Sequence, residues 1–168
     1  MQKDYILKII EQFTEAIGAI ISRKKAKKFN EAKELIHKTA KHLLRIDIDL
    51  LLLYNPDQIL DHFIDFSHRL ETERCILSAD LLLELALIEE ASIQPEIALR
   101  LKELCLQLYI AALPKEISFQ TPEYFEKVAI LTKELQSYPL SEKALINIDS
   151  YRKLYCKFSK CSETIRTN

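Results

Sequence analysis

The stretch spanning residues 76–113, ILSADLLLELALIEEASIQPEIALRLKELCLQLYIAAL, decides the fold class. Two apolar-rich segments flank a short break at 91–95. Neither segment holds glycine or internal proline, and each is too long for an ordinary strand. The first carries Leu81, Leu82, Leu83, Leu85, Leu87 and Ile88, and the second Leu99, Leu101, Leu104, Cys105, Leu106, Leu108 and Ile110. A helix that is apolar nearly all round needs neighbours on several sides. The pair therefore reads as the central hairpin of an all-α domain.

Composition supports this. The 168 residues suit one domain with one core. A single glycine, Gly18, is too few for a fold built on tight β-hairpins and leaves no glycine-rich phosphate loop. Charge is unevenly placed although the net is −1. Residues 1–45 carry eleven Lys or Arg against five Asp or Glu, whereas residues 46–120 carry five against fourteen. Such asymmetry steers partners, and it also lets the basic end of one copy meet the acidic middle of another. The longest uncharged apolar run, 104–113, is ten residues against the roughly twenty of a membrane span. No signal-like segment opens the chain, and Cys75, Cys105, Cys156 and Cys161 form no disulfide framework. The expectation is a soluble cytoplasmic protein that makes no membrane contact.

Periodicity places a first helix over 4–22, with Tyr5, Ile6, Ile9, Ile10, Phe13, Ile17, Ile20 and Ile21 on its inner face. Gly18 is expected to leave room for a close neighbour. The run Arg23, Lys24, Lys25, Lys27 and Lys28 suits a helix C-terminus. Phe29 is expected to staple onto a second helix over 30–44 from outside it. Residues 46–54 read as an apolar linker or short helical turn. Asn55, Pro56 and Gln58 start a short helix reaching about residue 66, with Ile59, Leu60, Phe63 and Ile64 inward. Thr121 and Ser141 are expected to cap two further helices. The sum is one domain of three helical hairpins, about 4–44, 72–113 and 121–160, with an extra helix at 56–66 and a tail that frays from about Glu163.

The segment Phe29-Asn30-Glu31-Ala32-Lys33-Glu34-Leu35-Ile36-His37-Lys38-Thr39-Ala40 resembles the second helix of a tetratricopeptide repeat. There Ala32 takes the close-packing position and Ile36 and Thr39 follow on the same face. Ala16, Ala19 and Ile20 fall where the repeat's first helix holds its large, leucine-type and small residues. The opening, with Met1, Asp4, Tyr5, Ile10, Glu11 and Gln12, resembles the start of a small family of tetratricopeptide-like proteins of low-GC Gram-positive bacteria. That resemblance implies antiparallel hairpins stacked as a short right-handed array in a bacterial cytoplasm. It implies no activity.

Candidate chemistry yields to plainer readings. Asp57, Asp61 and Asp65 line one side of the extra helix, which fits a carboxylate metal site less well than a solvated face. Glu34 and His37 form a single Glu-x-x-His pair, whereas a di-iron bundle needs two. His37 with His42, and His62 with His68, lack the i, i+4 spacing of zinc ligands. No cysteine has a sequence signal for a partner base. The chain is read as non-enzymatic, without cofactor or metal. The basic run at 23–28 offers phosphate contacts, but no element to enter a groove accompanies it.

The favoured reading is a protein- or peptide-binding module whose concave face is lined by the first helices of the hairpins. Its candidate contact residues are Lys8, Gln12, Glu15, Ser22 and the basic run Arg23, Lys24, Lys25, Lys27 and Lys28, with Glu84 and Glu89 on the second hairpin. Charge suggests an acidic peptide near the first hairpin and a basic one near the second. The alternative is a homodimer formed through apolar helix faces.

Overall fold

The computed structural model describes the backbone of residues 2–165 and the side chains of residues 4–156. Among the described residues seven α-helices follow in order: α1 (Gln2–Lys25), α2 (Phe29–Thr39), α3 (Ile48–Leu53), α4 (Thr72–Ala91), α5 (Pro95–Ala112), α6 (Pro122–Glu134) and α7 (Glu142–Ile165). No strand occurs among the described residues; Ile64 and Leu70 form one isolated antiparallel bridge. The fold is all-α as expected. Phe158, Cys161 and the end of the tail lie outside the residues whose side chains are described.

The α4–α5 hairpin is the centre. Cys75, Ile76, Leu77, Ala79, Leu81, Leu82, Leu85, Ala86 and Ile88 of α4 are buried on every side of the helix. Leu101, Leu104, Cys105, Leu108, Tyr109 and Ala112 do the same on α5. Small residues bring the two backbones close enough for the Cys105 thiol to donate to the Ala79 carbonyl at 2.7 Å. The α1–α2 pair covers one side of α4, and Ala32, Ile36 and Ala40 are buried there. On the other side α6 and α7 each pack on α5 more extensively than on one another. The expected third hairpin is thus two helices that share α5 as their support.

Both hairpin turns use one device. The amide of Lys28 donates to the Arg23 carbonyl (2.9 Å) around a left-handed Lys27 (φ 59°). The amide of Gln94 donates to the Glu89 carbonyl (2.9 Å) around a left-handed Ile93 (φ 60°). This is the Schellman closure, which glycine normally serves. Arg45 (φ 54°) and His68 (φ 57°) make further left-handed turns, so all four such positions among the described residues are filled without glycine.

The connection between the outer pair and the central hairpin corrects several expectations. Phe29 is the first residue of α2, half-buried against the core, and not a staple outside it. The helix after Thr39 widens into a π-turn, Ala40–Leu44. Residues 48–53 are helical because Asp47 caps them, accepting from the amides of Asp49 (3.1 Å) and Leu50 (3.3 Å). Asn55 does cap the next segment, accepting from the Asp57 amide at 3.1 Å. The short helix expected there is present as a 3-10 helix, Pro56–Phe63, and ends three residues before residue 66; tight turns of this kind commonly serve as connectors. Ile59 and Phe63 are buried, but Ile64 points outward.

Arg74 holds this connection in place. Its guanidinium donates to the carbonyls of Leu44 (2.7 Å), Arg45 (3.3 Å) and His62 (3.4 Å), pairs with Glu71 and lies 5.2 Å from the Phe63 ring centroid. It thereby supplies partners for carbonyls at the end of the π-turn that the helix cannot satisfy.

Ser141 caps α7 as expected, accepting from the Ala144 amide (3.0 Å) while its hydroxyl donates to Asp57 (2.6 Å). Thr121 makes no side-chain cap at α6, where only its carbonyl is used, by the Phe125 amide. Gly18 is exposed, and a Cβ there meets nothing within 4 Å, so it does not mark a close helix approach.

Two opposite substitutions should both stabilise the fold. Gly18→Ala removes helix-interior glycine and should add about 0.5–1 kcal/mol. Ile93→Gly relieves a left-handed β-branched residue. After the entropic cost of glycine it should also add about 0.5–1 kcal/mol, read from urea midpoints.

Candidate functional site

The first helices of the three expected hairpins, α1, α4 and α6, border a common groove of about 430 Å³. α1 contributes Ile10, Phe13, Thr14, Ile17 and Ile21; the opposite wall holds Leu77, Leu83, Phe119 and Tyr124. These apolar residues occur because α1 has a wide hydrophobic face that α4 covers only in part. Ile9, Ile10 and Ile17 remain half-buried beside a buried Phe13 and Ile20. Four charged residues line the groove: Asp80, Glu84, Glu123 and Lys127.

Asp80 is the only charged residue between Cys75 and Leu83. It accepts hydrogen bonds from the hydroxyls of Tyr109 (2.6 Å) and Tyr124 (2.8 Å) and from the Lys127 ammonium (2.9 Å). One carboxylate therefore joins α4, α5 and α6. Lys127 also lies 4.6 Å from the Tyr124 ring centroid and pairs with Glu123 at 3.2 Å. Burial raises the Tyr109 and Tyr124 hydroxyls above the usual phenol range, and the Asp80 charge adds to the effect. Burial pulls the Lys127 ammonium down, but Asp80 and Glu123 more than offset it, and the net direction is upward. These shifts keep the network as neutral phenols and an ammonium around one carboxylate. That arrangement binds three helices together through one carboxylate.

A second charged clamp lies nearby. Lys102, almost fully buried on α5, donates to Glu90 at the end of α4 and to Glu134 (2.8 Å) at the end of α6. Burial pushes the Cys75 thiol up to about 12 and also raises that of Cys105 well above the usual thiol range, so both are inert packing residues.

The residues singled out from sequence fall into three groups. Glu84 lines the groove, but it is paired with Lys24, 60 positions away. Glu89 is paired with Lys33 at 2.8 Å. Arg23 (3.6 Å) and Lys28 (3.2 Å) both reach Glu31 on α2. The opposite charges of the first two hairpins are thus joined to each other at two points. Lys8, Gln12, Glu15, Ser22, Lys25 and Lys27 are exposed and lie outside the groove lining. Sequence reasoning passed over Asp80, Tyr124 and Lys127. The available signal was a lone acid inside an apolar run, which must find partners when the run is buried.

Asp57, Asp61 and Asp65 do not converge. Asp57 takes the Ser141 hydroxyl, and Asp65 folds onto its own loop, accepting from the Ser67 (2.7 Å) and Arg69 (2.9 Å) amides. His37 approaches Asp49 (4.0 Å) and His62 packs on Tyr54. Among the described residues no three His, Cys, Asp or Glu side chains gather as a metal site would require. Among them also, no helix is long and apolar enough to cross a membrane. No family model, curated protein or solved structure matches the chain.

Asp80→Ala strands the buried Tyr109 hydroxyl and the Lys127 ammonium and should cost about 3 kcal/mol in urea unfolding. Tyr124→Phe, which removes one donor and leaves the carboxylate two others, should cost about 1 kcal/mol. Stability should also fall in alkali. Tyr109, Tyr124, Lys127, Lys102, Cys75 and Cys105 all have raised folded-state pKa values. Their contribution is complete below the unfolded values, about 8.5 for thiols and 10 or above for phenols and lysines, and is lost as pH rises through the folded ones. Urea midpoints should therefore hold steady from neutral pH to about 8 and decline above it.

Proposed function

We propose that this chain is a non-enzymatic binding module of tetratricopeptide-like helix pairs that takes a protein or peptide segment in the groove between α1, α4 and α6. The observation that carries this reading is the lining of that groove. α1 and α4 contribute an apolar floor from Phe13, Ile17, Leu77 and Leu83, α6 adds the Tyr124 ring, and charged side chains stand at the edge. Extended surfaces of this kind are what stacked helix pairs use for recognition. The size falls within the range of ordinary ligand sites.

The engaged state of its polar groups supports binding over catalysis. Asp80, Glu84 and Lys127 are held by partners within the fold, and the two buried thiols are kept protonated. Such residues set the walls of a site and do not turn over a substrate. Lys8, Gln12 and Glu15 stand clear on the outer side of α1, where they would touch only a partner large enough to reach around that helix. A nucleic-acid role for the basic run has less support, since Arg23, Lys24 and Lys28 are already matched to Glu31 and Glu84. The buried thiols suit a reducing compartment, and the reading places the protein in a bacterial cytoplasm.

Selection of a displayed random-peptide library on the purified chain tests the groove. Enriched peptides should carry a short apolar core, and their affinity should drop at least about tenfold on Ile17→Glu, a loss of roughly 1.4 kcal/mol. Lys8→Ala should leave it unchanged, and circular dichroism should show both variants folded. Absence of enrichment, or equal binding by Ile17→Glu, would count against the groove.

A further inference from the structure

The loop between the 3-10 helix and α4 carries a phenylalanine whose side chain touches almost nothing. Phe66 is 97% exposed, the most exposed large apolar residue among those described. Single exposed apolar residues are ordinary, but this one sits on a closed and rigid support. The amide of Asp65 donates to the Arg69 carbonyl (2.9 Å), and that of Glu71 to the Phe63 carbonyl (2.8 Å). The Asp65 carboxylate accepts from the amides of Ser67 and Arg69, and His68 takes the left-handed turn that closes the loop. A bulky apolar group held on a pre-ordered loop loses little freedom on docking, which is the property of an interface anchor.

The same loop is a wall of a hollow of about 540 Å³ between the start of α1, the end of the π-turn and the start of α4. Tyr5, Ile6, Ile9 and Leu70 give it an apolar floor. Tyr5 is 57% exposed there. Knob and hollow thus lie side by side on one face. A two-fold axis near the loop would put each copy's Phe66 into the other's hollow in a single isologous contact.

Charge on this face fits a second copy. The hollow is lined by three cations, Arg45, Arg69 and Arg74, and three anions, Asp65, Glu71 and Glu73. A face of one sign would repel its two-fold mate, whereas a balanced one does not. Arg69 pairs with Asp65 and Arg74 with Glu71. Arg45 and Glu73 make no ion pair within the chain among the described residues, so the rim keeps one cation and one anion to cross-pair between copies. We propose that this face is a self-association surface on which two copies of the chain exchange Phe66 into each other's hollow beside Tyr5.

The hollow adjoins the peptide groove, with Ile10 and Leu77 lining both, and self-association is tested on the purified chain alone. Sedimentation velocity over about 1–200 µM should show the wild type moving reversibly from the monomer mass toward twice that value. Phe66→Ser should weaken association at least about 30-fold, as should Tyr5→Lys, which places a charge in the hollow. Thermal melting of Phe66→Ser should match that of the wild type at low concentration, because the side chain supports nothing within its own fold. Mixing labelled Phe66→Ser with Tyr5→Lys should restore part of the lost association by energy transfer, since one intact Phe66 then meets one intact hollow. A wild type that stays monomeric throughout, a Phe66→Ser variant that associates as well as the wild type, or a mixture that recovers nothing would each overturn the proposal.

Discussion

α4 exposes almost no polar face, and the other helices are arranged by the need to cover it. Its buried side chains run from Cys75 to Ile88 on all sides, and α5 covers only one of them. α1 and α2 take another, and α6 reaches the remainder from its seat on α5. Asp80 is a charge set within this apolar surface, and its burial requires partners. The partners come from α5 and α6 as two hydroxyls and an ammonium. The same carboxylate that satisfies this requirement sets the distance between α4 and α6. The groove beside α1 follows from that spacing.

Electrostatics act chiefly inside the fold. The basic opening and acidic middle of the chain look in sequence like two surfaces awaiting partners. In the structure Lys24 meets Glu84 and Lys33 meets Glu89, both across the seam between the outer pair and α4. Glu89 and the carboxylate of Glu84 are mostly sheltered, so these contacts are less screened than surface pairs. A strong charge asymmetry along a chain can therefore be cancelled by folding, leaving the apolar lining as the more informative property of a candidate interface.

Local signals were legible and distant ones were not. The all-round apolar pattern of residues 76–113 gave away the central hairpin, and Asn55 and Ser141 marked helix starts because a cap is a matter of three or four neighbouring residues. The same kind of reasoning failed at Gly18, where the space around a helix depends on what else arrives there. It placed the short helix after Asn55 but not its end at Phe63, because a 3-10 and an α-helix share their start signals. Helix ends were hard to place for another reason. Lys27, Arg45, His68 and Ile93 occupy left-handed turns normally betrayed by glycine, so the turn chemistry left no trace in composition. The groove was foreseeable as a class of surface, yet its lining was not. Ile10, Thr14 and Ile17 share α1 with Lys8, Gln12 and Glu15, and only tertiary packing says which side of the helix faces the others.

The seam between the outer pair and α4 has a consequence for how the chain is made. Lys24 and Glu84 are 60 residues apart. At a synthesis rate of about 5–20 residues per second, the basic pair waits roughly 3–12 s before its acidic counterpart has been polymerised. During that interval the α1 face that later meets α4 is bare beside a cluster of cations, close to the polyanionic surface of the ribosome. The nascent segment is thus most exposed to electrostatic trapping at the stage when it has least structure of its own. Completion of α4 both buries its apolar stripe and neutralises part of its charge.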